Sequence, residues 1–157
     1  MANDITLSPE NTTIEFTAKK LFGFITVKGS FDAFAGTLVE GDELAEARVD
    51  LRIDVTSLST DNPKRDEHLK SADFFDVAQH PALDFTSTTA KGTRENFELE
   101  GHLVVQGTQH PVTLKVVKEG ARYAGTATLS RRRLGIDAMP TFVIKENVEL
   151  RVTVAVG

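Results

Sequence analysis

Apolar and polar residues alternate with a period of two along most of this chain, in eight separate runs. The sharpest run sets Ala47, Val49, Leu51, Ile53 and Val55 against Arg48, Asp50, Arg52 and Asp54. One face is wholly apolar and the other wholly charged, which a strand with one dry and one wet face requires. The last run repeats it, with Val148, Leu150, Val152, Val154 and Val156 against Glu149, Arg151 and Thr153. The others place on their dry faces Ile14, Phe16 and Ala18; Ile25, Val27, Gly29, Phe31 and Ala33; Leu83 and Phe85; Phe97, Leu99, Gly101, Leu103 and Val105; Val112, Leu114 and Val116; and Tyr123, Gly125, Ala127 and Leu129. Turn-forming residues separate many of them, as at Glu40-Gly41-Asp42, Lys91-Gly92-Thr93, Gln106-Gly107-Thr108 and Glu119-Gly120. Short connections between half-buried strands predict an all-β, eight-stranded antiparallel barrel, since closing the sheet removes its exposed edges.

The alternation stops between Asp61 and Asp76. Asp61-Asn62-Pro63 reads as a helix start, with a capping side chain and a proline in the first turn. One short helix is therefore expected near Asn62 to Ser71, between the third and fourth runs. Phe74 and Phe75 follow it in adjacent positions, and at least one is expected to plug an end of the barrel.

Composition narrows the chemistry. A length of 157 residues, 40% hydrophobic and 26% charged, suits a single domain over 1–157. A net charge of −5 argues against nucleic acid as the main partner. With no cysteine, disulfides, thiolate catalysis and cysteine-ligated metals are excluded. The N-terminus Met1-Ala2-Asn3-Asp4-Ile5 has no signal-peptide pattern, and no apolar run reaches the length of a membrane span. A soluble, cytoplasmic protein is expected from the chain as given, or a periplasmic or secreted one if it is a processed form.

Catalytic motifs are absent. His68, His80, His102 and His110 form no HxH or HExxH pair; His102 takes an outward strand phase, and His80 and His110 each precede a proline in an expected loop. No GxSxG elbow, P-loop or GxGxxG occurs. Asp66, Asp73 and Asp76 gather near Arg65 and His68, where capping and ion pairing outweigh acid–base work as the reading. Neither an enzyme nor a cofactor is expected.

Two features point to binding instead. The dry phases mix phenylalanine with Gly29, Ala33, Gly101, Gly125 and Ala127, and small inward residues either leave space or mark bends. A ligand in so apolar an interior must be mostly hydrocarbon. The expected lining includes Phe16, Ile25, Phe31, Leu51, Phe85, Leu103, Leu114, Leu129 and Val152. Arg131 ends the seventh run on its inward phase, beside Arg132 and Arg133. Its guanidinium either pairs with a rim carboxylate or waits for an anionic headgroup. Arg65 and His68 are further headgroup candidates.

Several segments resemble the YceI-like family. They are Val49-Asp50-Leu51-Arg52-Ile53-Asp54, Ser57-Leu58-Ser59-Thr60, Arg65-Asp66-Glu67-His68-Leu69-Lys70-Ser71 and Asp73-Phe74-Phe75-Asp76-Val77. Pro81 to Thr88, Glu100 to Thr108, Pro111-Val112, Phe31 to Gly36 and Leu134-Gly135-Ile136 fit the same family. The resemblance implies a lipocalin-like barrel that binds a polyisoprenoid chain, such as a polyprenyl phosphate or a quinone tail, as carrier or store. The alternatives are an enzyme acting at the barrel mouth through Asp66 and His68, and a ligand-free interaction module. The partner expected is a polyisoprenoid lipid, and a homodimer is left open.

Overall fold

A computed structural model describes residues 4–21, 23–136 and 144–156. They form one antiparallel sheet of eleven strands and one α-helix. The strands are β1 (Asp4–Leu7), β2 (Thr12–Lys20), β3 (Ile25–Phe31), β4 (Phe34–Val39), β5 (Arg48–Asp54), β6 (Leu58–Ser59), β7 (Ala82–Gly92), β8 (Asn96–Val105), β9 (Thr108–Glu119), β10 (Arg122–Ser130) and β11 (Asn147–Ala155). Their order in the sheet is β1-β4-β5-β7-β8-β9-β10-β11-β2-β3-β6.

The sheet curls on itself because two neighbouring segments cross from one side of it to the other. β3 lies beside β2, and after only Asp32 and Ala33 the chain continues as β4, paired with β1 and β5. Likewise β5 runs through a single 3₁₀ turn at Val55–Ser57 into β6, which pairs with β3. The crossings meet at one corner, where the Asp54 N–H donates to the Ala33 carbonyl at 2.9 Å and the Asp32 N–H donates to Ser57 Oγ at 3.1 Å. The result is an all-β, lipocalin-like barrel with its apolar face inside.

Eight runs become eleven strands for local reasons. β1, β4 and β6 lie outside the eight runs; the inward phase holds Val27, Gly29 and Phe31 and then passes to Phe34, Gly36 and Leu38, so the run expected to reach Ala33 ends at Phe31 and β4 starts on the opposite parity. β7 extends to Gly92, well past the alternation at Leu83 and Phe85, because a bulge between Ser87 and Thr89 moves the inward phase from Ser87 to Ala90.

α1 (Pro63–Lys70) lies where the proline and its cap place it, with Asn62 Oδ1 accepting from the Arg65 N–H at 3.2 Å. Arg65 Nε donates to Thr60 Oγ1 and Nη2 to the Thr60 carbonyl, each at 2.7 Å, while Asp66 Oδ1 accepts from the Thr60 N–H at 2.8 Å. The helix is thus tied to β6 through one buried threonine.

Candidate functional site

Among the described residues, two apolar cavities lie in the barrel interior. The smaller, about 110 Å³, is bounded by Leu51, Phe85, Leu114, Gly125 and Val152 among others. The larger, about 290 Å³, is bounded by Phe16, Phe31, Leu129 and the helix–turn segment after Thr60. Ile53, Leu103 and Leu150 border both, so the two are successive chambers along one barrel.

The inward glycines make different contributions to this space. A Cβ on Gly29 would lie 2.2 Å from Phe16 Cζ, and one on Gly101 2.6 Å from Phe85 Cζ. Phenylalanine rings from the neighbouring strands therefore already fill the room those glycines give. A Cβ on Gly125 would meet Val116 Cγ2 at 3.6 Å, Leu114 Cδ2 at 3.8 Å and the Val152 carbonyl oxygen at 3.9 Å, which are ordinary contacts. Gly125 therefore leaves room on the wall of the smaller chamber.

Of the expected lining, Leu51, Phe85, Leu114 and Val152 border the smaller chamber, Phe16, Phe31 and Leu129 the larger, and Leu103 both. Ile25 lines neither and is 40% exposed. It keeps the phase of Val27 and Phe31, but it sits at the first residue of β3, where the strand has run past the enclosed interior.

The far end of the smaller chamber carries a polar seal. Tyr123 donates its hydroxyl to Glu40 Oε2 at 2.6 Å, Lys118 Nζ lies 3.9 Å from the same carboxylate, and Arg94 donates to the carbonyls of Gly41 and Asp42. Burial, helped by the bond to Glu40 and its charge, pushes the Tyr123 phenol well above its ordinary range. Sequence reasoning missed Glu40 and Arg94, since their partners lie at least 50 residues away.

The larger chamber is basic at its mouth. Arg65, His68 and Arg131, the three headgroup candidates, all border it, together with Lys19 and Lys20. Every ionisable side chain among the described residues lining it is a base. α1 presents Arg65, His68 and Leu69 on one face, the spacing that brings side chains together on a helix. Both Phe74 and Phe75 turn inward: Phe74 packs edge-on to His68 with ring centroids 5.0 Å apart, and Phe75 meets Phe31 at 6.3 Å. They manage this because they lie in a turn where the Phe75 N–H reaches the Leu69 carbonyl, not on a helix that would splay them.

Arg131 is 3% exposed and is held by backbone. Its Nε donates to the Lys145 carbonyl at 3.1 Å, Nη1 to that of Ile136 at 2.9 Å and Nη2 to that of Ile144 at 2.8 Å. It thereby ties the turn after β10 to the segment leading into β11. His68 Nε2 and Asp73 Oδ2 are 3.1 Å apart, and Asp66 is occupied with Thr60, so two carboxylates of the acidic cluster serve local packing. His110 lies in β9, not in a loop, because Gln106 and Gly107, both at positive φ, make a two-residue turn and the strand starts at Thr108. It pairs with Leu103 and so takes the inward phase, with its Nε2 buried and unbonded among the described residues. Also among the described residues, no three histidine or acidic side chains gather where they could hold a metal ion, and no helix is long and apolar enough to cross a membrane.

A curled antiparallel sheet around a two-chambered apolar interior, open at a basic mouth, defines a lipocalin-like barrel. The chain belongs to the YceI-like family, whose domain model matches residues 5–156. A UPF0312 protein of Pectobacterium atrosepticum is 33% identical over 138 residues, covering 87% of this chain and 70% of that protein. The crystal structure of Burkholderia cenocepacia BcnA superposes with a TM-score of 0.81 at 17% identity, over 94% of this chain and 97% of that one. A polyisoprenoid-binding domain from Saccharophagus degradans, implicated in plant cell wall breakdown, has the same fold, with a TM-score of 0.70 at 14% identity over 99% of both chains.

Proposed function

We propose that this protein binds a polyisoprenoid lipid inside the barrel, as carrier or store, and is not an enzyme. The tail occupies the two chambers, and an anionic end such as a phosphate lies at the mouth beside Arg65, His68 and Arg131. The observation that carries this reading is the larger chamber itself, whose hydrocarbon walls end in side chains of one charge sign. The neighbour from Saccharophagus degradans, described as polyisoprenoid-binding, supports the ligand class.

The energetics suit a tail. Each buried methylene gains about 0.8 kcal/mol, so a five-carbon isoprene unit gains roughly 4 kcal/mol before ordering costs. An apolar cavity of about 150 Å³ holds a six-carbon ring. On that scale the larger chamber, about 290 Å³, takes roughly two isoprene units and the smaller, about 110 Å³, roughly one.

Mass spectrometry of the purified protein after organic extraction tests the reading. A polyprenyl species should be released from the wild type and be much reduced in a folded Leu103→Trp variant, because Leu103 borders both chambers. Equal recovery from both would place the lipid outside the barrel.

A further inference from the structure

The tip of the β2–β3 hairpin carries residues that a turn does not ask for. Turns with positive φ ordinarily use glycine, asparagine or aspartate. Here Gly23 has a φ of 86°, but Leu21 also takes 52°. Leu21 gains little packing in return, being 47% exposed; Phe24 is 88% exposed and Ile25 40%. Three of the four large hydrophobic side chains left exposed among the described residues thus fall within five positions of one another.

A collar of lysines surrounds this apolar point. Lys19 and Lys20 precede it, and no acidic residue occurs from 19 to 28, while Lys28 pairs with Thr17 farther along the hairpin, on an outer face it shares with Glu15 and Glu149. Lys145 comes from the other side: its N–H donates to the Lys19 carbonyl at 2.8 Å, and its Cε lies 3.4 Å from where a Cβ on Gly23 would sit. Next to Lys145, the Glu146 carboxylate accepts from the Ser130 hydroxyl at 3.1 Å and keeps its charge, so the excess of positive charge at the tip rests on Lys19 and Lys20. Lys19 and Lys20 also line the larger chamber, so the tip is continuous with its mouth.

We propose that this hairpin tip is a membrane-docking element that inserts Leu21, Phe24 and Ile25 among the headgroups of an anionic bilayer. An apolar wedge within a ring of lysines matches the layered chemistry of such a surface, acyl chains below and phosphate above. A second copy of this chain is a poor occupant, because a two-fold contact through the tip would set each lysine collar against its twin. The whole chain carries a net charge of −5, so the lysines at the tip favour an approach with the mouth toward the membrane. Docking stands on the tip alone; that the ligand enters or leaves there rests on the lipid-binding reading.

The chain contains no tryptophan, so Phe24→Trp gives a single clean reporter. Its emission should shift to the blue with vesicles of equal phosphatidylglycerol and phosphatidylcholine, and not with phosphatidylcholine alone. Phe24→Asp should lower cosedimentation with the anionic vesicles by about tenfold, the burial of one large side chain at 1.4 kcal/mol per decade. Because Phe24 is 88% exposed, both variants should melt with the wild type. Cosedimentation with no emission shift would overturn the proposal, as would self-association abolished by Phe24→Asp. Polyprenyl phosphate offered from detergent micelles separates the two readings. Phe24→Asp should still load it; loading without vesicle insertion by Phe24→Trp defeats docking, and insertion by a barrel that never loads defeats the lipid reading instead.

Discussion

Gly125→Val should leave the barrel intact and shorten the tail it can hold. The new Cβ would meet Val116 Cγ2 at 3.6 Å and Leu114 Cδ2 at 3.8 Å, neither of which has to move. Valine suits a strand better than glycine, so stability should be equal or slightly higher. Its three side-chain carbons project into a chamber of about 110 Å³ and displace a similar number of tail carbons. At about 0.8 kcal/mol per carbon the loss is about 2.4 kcal/mol, or roughly fiftyfold in affinity. Titration with two polyprenyl phosphates gives the assay: one long enough to fill both chambers should weaken by that factor, and one of two isoprene units should not. Gly29→Ala is the contrasting control. Its Cβ would lie 2.2 Å from Phe16 Cζ, so the ring must shift, at an overpacking cost of about 1–3 kcal/mol and a lower melting temperature. A folded Gly125→Val variant that binds the longer ligand with wild-type affinity would refute the assignment of the tail to the inner chamber.

Further outcomes follow from the same geometry. Arg131→Met should destabilise the protein by about 2–5 kcal/mol in urea unfolding, since three carbonyls lose a charged donor in a buried place. Arg65→Ala should weaken a polyprenyl phosphate by about tenfold and leave a quinone with the same tail nearly unchanged, because only the phosphate brings charge. The raised Tyr123 pKa makes stability fall as pH rises above about 10, where the unfolded phenol ionises and the folded one does not; Tyr123→Phe should remove that slope from the pH profile of the melting temperature.

The pattern of the chain revealed most of the strands and little of what they enclose. β5 and β11 were legible because every second residue is apolar and every other one polar. The cap at Asn62 and the proline after it located α1 to within a residue at each end. β4 was not legible: Ala35 and Gly36 blur the alternation between Phe34 and Leu38, and the turn before it reverses the phase. The bulge near Thr88 hid the second half of β7 in the same way. The chambers were harder still, because a glycine looks alike in sequence whether a ring fills its Cβ position, as at Gly29, or only ordinary contacts surround it, as at Gly125. Arg131 was correctly placed at the end of its run, but its partners are backbone carbonyls as far as 14 residues downstream, which side-chain patterns do not record. The basic mouth was partly visible, through Arg65, His68 and Arg131; Lys19 and Lys20 join it only because β2 ends at the rim.

The central claim is that the tail lies inside the barrel. Intermolecular nuclear Overhauser effects between the methyl groups of a polyprenyl phosphate and methyl-labelled protein test it most directly. Contacts should appear to Leu103, Leu114, Leu129 and Leu150, which border the two chambers. Contacts confined to the exposed Leu21 and Ile25, with the interior methyl groups silent, would contradict it.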